Sequence, residues 1–198
     1  MASPPGNISY ADPMYEPFWT AAEELNLPIS LHILTGHGEE SRNEGKFKDN
    51  HYLRAISIIH EVQRSFAEIM FSGALERHPG LKIVSAENDI GWMPHFLYRS
   101  DHFHEKAAFS NPTELKMYPS EYAKRQIFVT YMDDPVGLRL ADYYGEDNYA
   151  WASDYPHAQS TFPNSHKIVD ENFLGVSDGI KRKITRDNVI KLYNMDLD

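Results

Sequence analysis

Residues 81–89 read LKIVSAEND, an apolar run with β-branched side chains that ends in three consecutive polar residues. Residues 91–109, GWMPHFLYRSDHFHEKAAF, follow with apolar side chains at helical spacing. A short apolar run that is bounded by polar residues is typical of a strand buried on both faces. The two segments therefore predict a buried strand followed by a helix.

The same order recurs along the chain, because three further apolar runs end in polar residues and precede helical or turn-rich sequence. They are PISLHIL (28–34), QIFVTYMDD (126–134) and NYAWASDYPH (148–157). Buried strands that alternate with helices indicate parallel pairing and the α/β class. We predict four β/α units with additional C-terminal helices, within one domain over 16–198 that follows an irregular segment over 1–15.

Helical periodicity and helix-ending residues give the remaining elements. Helices are predicted at 16–24, at 52–80 with a break near Gly73, at 135–145 and twice beyond Ser165. The last of these is expected to begin near Asp187 or Asn188, and residues 111–122 are expected to form a loop.

Composition narrows the classes of function. The 198 residues carry a formal net charge of -10, which disfavours a nucleic-acid-binding surface because such a surface needs clustered Lys and Arg. The absence of cysteine excludes thiolate metal sites and disulfides, which leaves His, Asp and Glu as metal ligands. No run is apolar enough for a membrane span, and the first residues lack signal-peptide character. A cytoplasmic protein with a small-molecule substrate is the expectation.

Polar residues stand at the C-terminal ends of the predicted strands, where parallel α/β folds build their sites. His32 and Asp154 are the leading metal-ligand candidates, since an imidazole and a carboxylate suit a Zn²⁺-like ion. Glu87 is either a third ligand or an acid/base group whose pKa is raised by burial.

Each of these residues also has a structural explanation. A histidine in an apolar strand is often a hydrogen-bonded core residue, and Asp154 has the sequence context of a helix N-cap. Asp133 and Asp134 precede Pro135 and are expected to cap a helix or form a turn. Four further histidines, which are expected in loops or on polar helix faces, give only a weak metal signal: His37, His51, His102 and His104.

The order and spacing of four segments resemble those of the amidohydrolase-related family, a branch of the metal-dependent amidohydrolases that also contains non-oxidative decarboxylases of aminocarboxymuconate semialdehyde and of aromatic acids. The segments are LPISLHI, ALERHPGLKIVSAENDIGWMPHFLYRSD, WASDYPH and NVIKLY. The resemblance implies a (β/α)₈ barrel in which His32 ends the fifth strand and Asp154 ends the eighth. Both would join a His-x-His pair of the first strand around a divalent metal.

The chain departs from this family pattern in two ways. Glu87 stands where many relatives have a catalytic His, and four strands are predicted where the barrel has eight. We therefore predict a partial barrel that corresponds to the family's C-terminal half. Because half a barrel exposes strand edges, four explanations are open: the chain pairs with a second copy, it pairs with a complementary half-barrel, it is a truncated product of marginal stability, or its tail helices cover an open sheet.

The leading hypothesis is a metal-dependent hydrolase in which a cation lowers the pKa of water and Asp154 or Glu87 accepts the proton before attack on a carbonyl-type carbon. Zinc is the expected metal, with manganese or another divalent ion as the alternative. A decarboxylase of an aromatic or unsaturated acid is the second hypothesis. A catalytically incomplete assembly partner is the third. Four residues of the rim loops are expected to contact substrate: Asn88, Trp92, Tyr155 and His157.

Overall fold

Four parallel strands in the order β1-β2-β3-β4 form the centre of the protein in a computed structural model. The structure describes residues 8–32, 50, 52, 56–57, 59–107 and 109–197. The α/β class with four parallel strands is thereby confirmed. The elements run β1 (Ile29–His32), β2 (Ile83–Ala86), β3 (Ile127–Tyr131) and β4 (Tyr149–Trp151), with α1 (Glu16–Glu24), α2 (Ile59–Phe71), α3 (Ala74–Arg77), α4 (Met93–Ala107), α5 (Pro119–Gln126), α6 (Pro135–Leu138), α7 (Ser165–Asn172), α8 (Asp178–Arg182) and α9 (Asn188–Tyr193), and a π-helical turn at Lys183–Asp187 joins α8 to α9.

The strand register brings the C-terminal ends of all four strands to one edge of the sheet. His32 at the end of β1 is the partner of Ala86 at the end of β2. Thr130 of β3 is the partner of Ala150 of β4. Because the strands are parallel, the residues that follow Ala86, Tyr131 and Trp151 emerge on this same edge.

The two faces of the sheet are covered differently. Side chains alternate between the faces along each strand, and one set, which includes Ile83, Ile127 and Val129, belongs to the main buried core with the helices. On the opposite face, Val84 and Phe128 form a separate buried cluster with Leu192 of α9. The tail helix therefore covers part of the face that points inward in a barrel.

Several sequence predictions agree with the observed elements. Helix α1 spans the predicted residues 16–24, and the long helix is broken at Gly73, whose φ of 79° lies in the left-handed region. Helix α9 begins at Asn188, as predicted. Residues 33–34 of the first predicted strand lie outside the described residues.

Two helix predictions were wrong. Residues 111–122 were expected to form a loop, but α5 begins at Pro119, with the backbone N–H of Tyr118 donating to Glu121 at 2.8 Å. Proline is favourable in the first helical turn, where its missing N–H has no helical partner. The helix predicted to run to residue 145 ends at Leu138, because turns follow it.

The segment before α1 contributes to the core. Its last residues, Pro13–Tyr15, form a 3₁₀ turn, and Tyr10 is fully buried with its ring centroid 6.4 Å from that of Trp19. Within the segment that is expected to be irregular over 1–15, Tyr10 therefore has a packing role. Among the described helices, none has the length and the apolar composition that a bilayer crossing requires.

The covered inner face gives a stability prediction. Leu192→Ala should lower the free energy of unfolding by about 2–5 kcal/mol, since it removes the helix side chain from the cluster with Val84 and Phe128. Leu174→Ala is the matched control, because Leu174 is 64% exposed. Urea unfolding measures both variants, and equal stability of the two would contradict the packing of α9 on the sheet.

Candidate functional site

Three potential metal ligands converge at the C-terminal edge of the sheet. Glu87 follows β2 directly, while Asp154 and His157 lie in the loop after β4. One ligand atom from each of the three lies within 4.8 Å of the other two. Among the described residues, this is the one group of at least three His, Asp or Glu side chains that are close enough to hold a metal ion. Two carboxylates and an imidazole form a donor set that suits a divalent cation.

The backbone at this cluster adopts an unusual conformation. Glu87 has a φ of 61° and Asp154 a φ of 56°, so both occupy the left-handed region that non-glycine residues seldom adopt. Each turns the chain sharply away from its strand. The backbone N–H of Glu87 donates to Thr130 Oγ1 at 3.1 Å, which anchors this turn to β3. Strain of this kind is retained where the surrounding structure enforces it, and it is concentrated at functional sites.

Asp154 and His157 lie side by side. Asp154 Oδ2 is buried and lies 3.0 Å from His157 Nδ1, a contact that is an ion pair when the ring is protonated. The backbone N–H of Gln159 lies 3.4 Å from the same Nδ1, which accepts it in the tautomer that carries the ring proton on Nε2. In that tautomer Asp154 Oδ2 and His157 Nδ1 both present a lone pair, and a cation would satisfy both. The residues present therefore fit a divalent metal.

His32 is linked to this cluster through Glu87. Its Nε2 lies 2.7 Å from Glu87 Oε2, and its side chain is 57% exposed. His32 does not belong to the set of three mutually close ligand atoms. Its assignment as a metal ligand stays a prediction, whereas its contact with Glu87 places it where it can exchange a proton with that carboxylate.

Asp134 holds the loop that carries Glu87. One oxygen, Oδ2, accepts the backbone N–H groups of Ile90 at 2.9 Å and Gly91 at 2.6 Å. The other, Oδ1, accepts the N–H of Gly137 at 2.8 Å and caps α6. The capping role expected for Asp134 is confirmed, and the sequence did not indicate its second role in tying the loop after β2 to the loop after β3.

The edge of the sheet is rich in negative charge. Partial burial of the carboxyl group, followed by the nearby Asp134, raises the pKa of Asp89 to about 6. Asp133 and Glu87 add smaller contributions in the same direction, while a hydrogen bond from the backbone of Met132 opposes them. The residue as a whole is still exposed, so solvent weakens these effects. Carboxylates that raise one another's pKa form an environment that attracts a cation.

Comparison with known proteins identifies the family. The model of the family described as Amidohydrolase matches residues 2–195. The chain belongs to the amidohydrolase family. The curated γ-resorcylate decarboxylase of Rhodococcus jostii (strain RHA1) is 25% identical over 195 residues, which cover 96% of this chain and 56% of that protein.

Solved structures show the same fold in related proteins. The 5-carboxyvanillate decarboxylase of Sphingomonas paucimobilis superposes with a TM-score of 0.82 at 24% identity. The match covers 99% of this chain and 58% of the decarboxylase chain. The dihydroxybenzoic acid decarboxylase of Polaromonas sp. JS666, solved with manganese and 2-nitroresorcinol, has a TM-score of 0.78 at 18% identity, over 96% of this chain and 57% of its own. The chain thus spans somewhat more than half the length of these relatives. The predicted partial (β/α)₈ barrel and the resemblance to the amidohydrolase-related family are confirmed.

Two of the four predicted substrate contacts serve to hold the loop after β2. Asn88 is buried, and its amide donates to Ala86 O at 2.7 Å and to Ser85 Oγ at 3.2 Å. Trp92 donates through Nε1 to Asn88 O at 2.9 Å, and its ring packs near Phe66. These contacts give both residues a structural role, and their predicted contact with substrate is untested.

The other predicted residues differ in their surroundings. Tyr155 is 65% exposed beside the cluster, and His157 belongs to the cluster, where its position favours a ligand role over the substrate contact predicted from sequence. His102 and His104 lie on α4, consistent with their weak signal. His37 and His51 lie outside the described residues. A His three residues after Asp154 is the sequence signal that indicates a third candidate ligand, provided that the loop turns back as it does here.

The close approach of the two loops leads to a prediction at Gly137. A Cβ atom there would lie 2.3 Å from Ile90 Cγ1 and 2.7 Å from Gly91 N, so Gly137→Ala should destabilise the fold by about 1–3 kcal/mol. At Gly179 the nearest atom is 4.0 Å away, so Gly179→Ala should stabilise α8 by up to about 1 kcal/mol. Thermal unfolding distinguishes the two variants. A tolerated Gly137→Ala would show that the loops after β2 and β3 do not pack as described.

Proposed function

We propose that this chain carries the cation-binding edge and the proton-transfer group of a metal-dependent, non-oxidative decarboxylase of small aromatic carboxylic acids. The observation that carries the proposal is the convergence of Glu87, Asp154 and His157, with one ligand atom of each within 4.8 Å of the others. Relatives that are named γ-resorcylate and 5-carboxyvanillate decarboxylases support the reaction type. This reaction was the second hypothesis drawn from the sequence, and the comparisons favour it over hydrolysis.

Glu87, Asp154 and His157 would hold the cation, and manganese is favoured over the zinc expected from sequence because related decarboxylases were solved with manganese. A bound divalent cation supplies positive charge that binds a carboxylate and polarises the group to which it is attached. His157 would contribute its Nδ1, and Asp154 would contribute the buried Oδ2.

Proton transfer is assigned to the Glu87 and His32 pair. When the bond between the ring carbon and the carboxylate breaks, its electron pair stays on the ring carbon as CO₂ leaves, and that carbon must accept one proton. Glu87 Oε2 and His32 Nε2 are 2.7 Å apart, so a proton can be held between them. Glu87 is 16% exposed and His32 is 57% exposed, which leaves His32 as the route by which the proton is restored from water.

Hydrolysis is the second candidate, because Glu87 is a carboxylate at the position where many members of the amidohydrolase-related family have a histidine. A carboxylate beside a cation site can accept a proton from water, as the first hypothesis requires. The two reactions yield different products from one aromatic acid and its ester. The same comparison tests the third hypothesis, a catalytically incomplete assembly partner.

Metal binding can be measured without any activity assay. Asp154→Ala and His157→Ala should each weaken Mn²⁺ binding by at least about tenfold in calorimetric titration, since each removes a ligand atom. His32→Ala should also lower the bound metal if His32 completes the site. Asp133→Ala is the matched control, because Asp133 follows β3 as Asp154 follows β4 and yet lies outside the cluster. Equal Mn²⁺ affinity in all four variants would remove the cation site.

Decarboxylation is tested with 2,6-dihydroxybenzoate and the manganese-loaded protein. Chromatography should detect resorcinol and CO₂, and Glu87→Gln should lower the rate by about 100-fold or more because the variant cannot donate or accept the proton. The methyl ester of the same acid is the control for hydrolysis. Release of methanol from the ester without CO₂ from the acid would favour a hydrolase, and absence of both reactions would favour the assembly partner.

A further inference from the structure

We propose that Phe162, together with Tyr155, forms an aromatic wall that binds the ring of the substrate and makes the site selective for aromatic acids. This inference rests on the proposed function and adds a residue that contributes no ligand atom. The two rings meet edge to face, with centroids 4.9 Å apart and an interplanar angle of 66°. Phe162 is 61% exposed and Tyr155 is 65% exposed.

The loop that carries Phe162 returns to the cation cluster. The backbone N–H of Thr161 donates to Ser153 O at 3.1 Å, and Ser160 Oγ donates to the same oxygen at 2.7 Å. Ser153 is the neighbour of Asp154 in sequence. Phe162 therefore stands next to the strand end from which Asp154 emerges, although eight positions separate the two residues in the chain.

The loop is held in place on both sides of the aromatic pair. Thr161 is buried, and its Oγ1 lies 2.9 Å from Ser165 Oγ at the start of α7. The backbone N–H of Phe162 donates to Ser160 Oγ at 3.1 Å. At the other end, the N–H of His157 donates to Asp154 O at 2.8 Å. Two large aromatic side chains are thus exposed on a loop that begins next to Asp154 and whose backbone returns to Ser153.

Charge identifies the kind of molecule that fits this surface. A ligand of the cluster needs an anionic group for the cation, and a ligand of the wall needs a planar apolar face. An aromatic carboxylate has both, since its carboxylate is directly bonded to the ring. The ring contact contributes affinity through offset or edge-to-face packing with Phe162 and Tyr155. An aliphatic acid of the same charge would gain the first contact without the second.

The test uses the manganese-loaded protein and 2,6-dihydroxybenzoate as the probe, with the dissociation constant measured by calorimetry. Phe162→Ala should bind the acid about threefold to tenfold more weakly, because it removes one aromatic contact. Phe162→Tyr should bind within about twofold of the unaltered protein, since it keeps the ring. Phe103→Ala is the matched control, because Phe103 is also 61% exposed but lies on α4. The Mn²⁺ affinity of Phe162→Ala should be unchanged.

Several results would overturn the inference. Equal affinity of Phe162→Ala and the unaltered protein would remove the wall while leaving the proposed function intact. Equally weak binding by Phe162→Tyr and Phe162→Ala, or loss of Mn²⁺ affinity in Phe162→Ala, would show that the residue shapes the loop and does not contact the ring. Failure of the unaltered, manganese-loaded protein to bind the acid would overturn both this inference and the proposed function.

Discussion

The carboxylate of Asp134 accepts three backbone N–H groups from two different loops, and the geometry of the site depends on this contact. Two of the donors, Ile90 and Gly91, belong to the loop that begins with Glu87, and the third, Gly137, belongs to the first turn of α6. Hydrogen bonds from N–H groups to a charged acceptor are among the stronger contacts in proteins. They fix the loop after β2 against the end of β3, while the N–H of Glu87 bonds to Thr130. The carboxylate of Glu87 is thereby held beside the loop after β4, where Asp154 and His157 lie.

The same contact concentrates negative charge, which explains why the edge suits a cation. Both oxygens of Asp134 accept backbone N–H groups, which gives the residue a structural role. Its charge nevertheless acts on Asp89 and raises the pKa of that carboxyl group. Glu87 and Asp154 are close enough to bind one metal ion together, so their negative charges also repel each other. Repulsion among neighbouring carboxylates is unfavourable. A divalent cation that binds there removes the repulsion, and this adds to the free energy of binding. In the proposed site, His157 would add a nitrogen ligand, which raises the number of ligands without adding a third carboxylate.

Periodicity and strand-end polarity predicted the sheet and the edge at which the site lies, because these depend on residues that are local in sequence. Glu87, Asp154 and His32 all become candidate site residues in this way, and the structure places Glu87 within the cluster and beside His32. The two roles of Asp134 could not be predicted equally well. Gly137, whose N–H is capped by Asp134, is only three residues from it in the chain. The other two partners, Ile90 and Gly91, are 44 and 43 residues from Asp134 and come close to it only in the folded protein. The position of His157 beside Asp154 depends in the same way on a loop that turns back on itself, and the sequence does not predict helix α5 because Pro119 lies in a polar segment that is typical of a loop.

The tail helix covers part of the inner face of the four-stranded sheet. An exposed apolar face of a sheet favours association with another surface. Leu192 of α9 packs on Val84 and Phe128 over this face, so these side chains are buried within the chain. That helix covers side chains in the middle of the strands, whereas His32 at the strand end keeps its exposure. The packing of the inner face therefore lies at mid-strand, whereas the candidate ligands Glu87 and Asp154 follow the C-terminal ends of their strands.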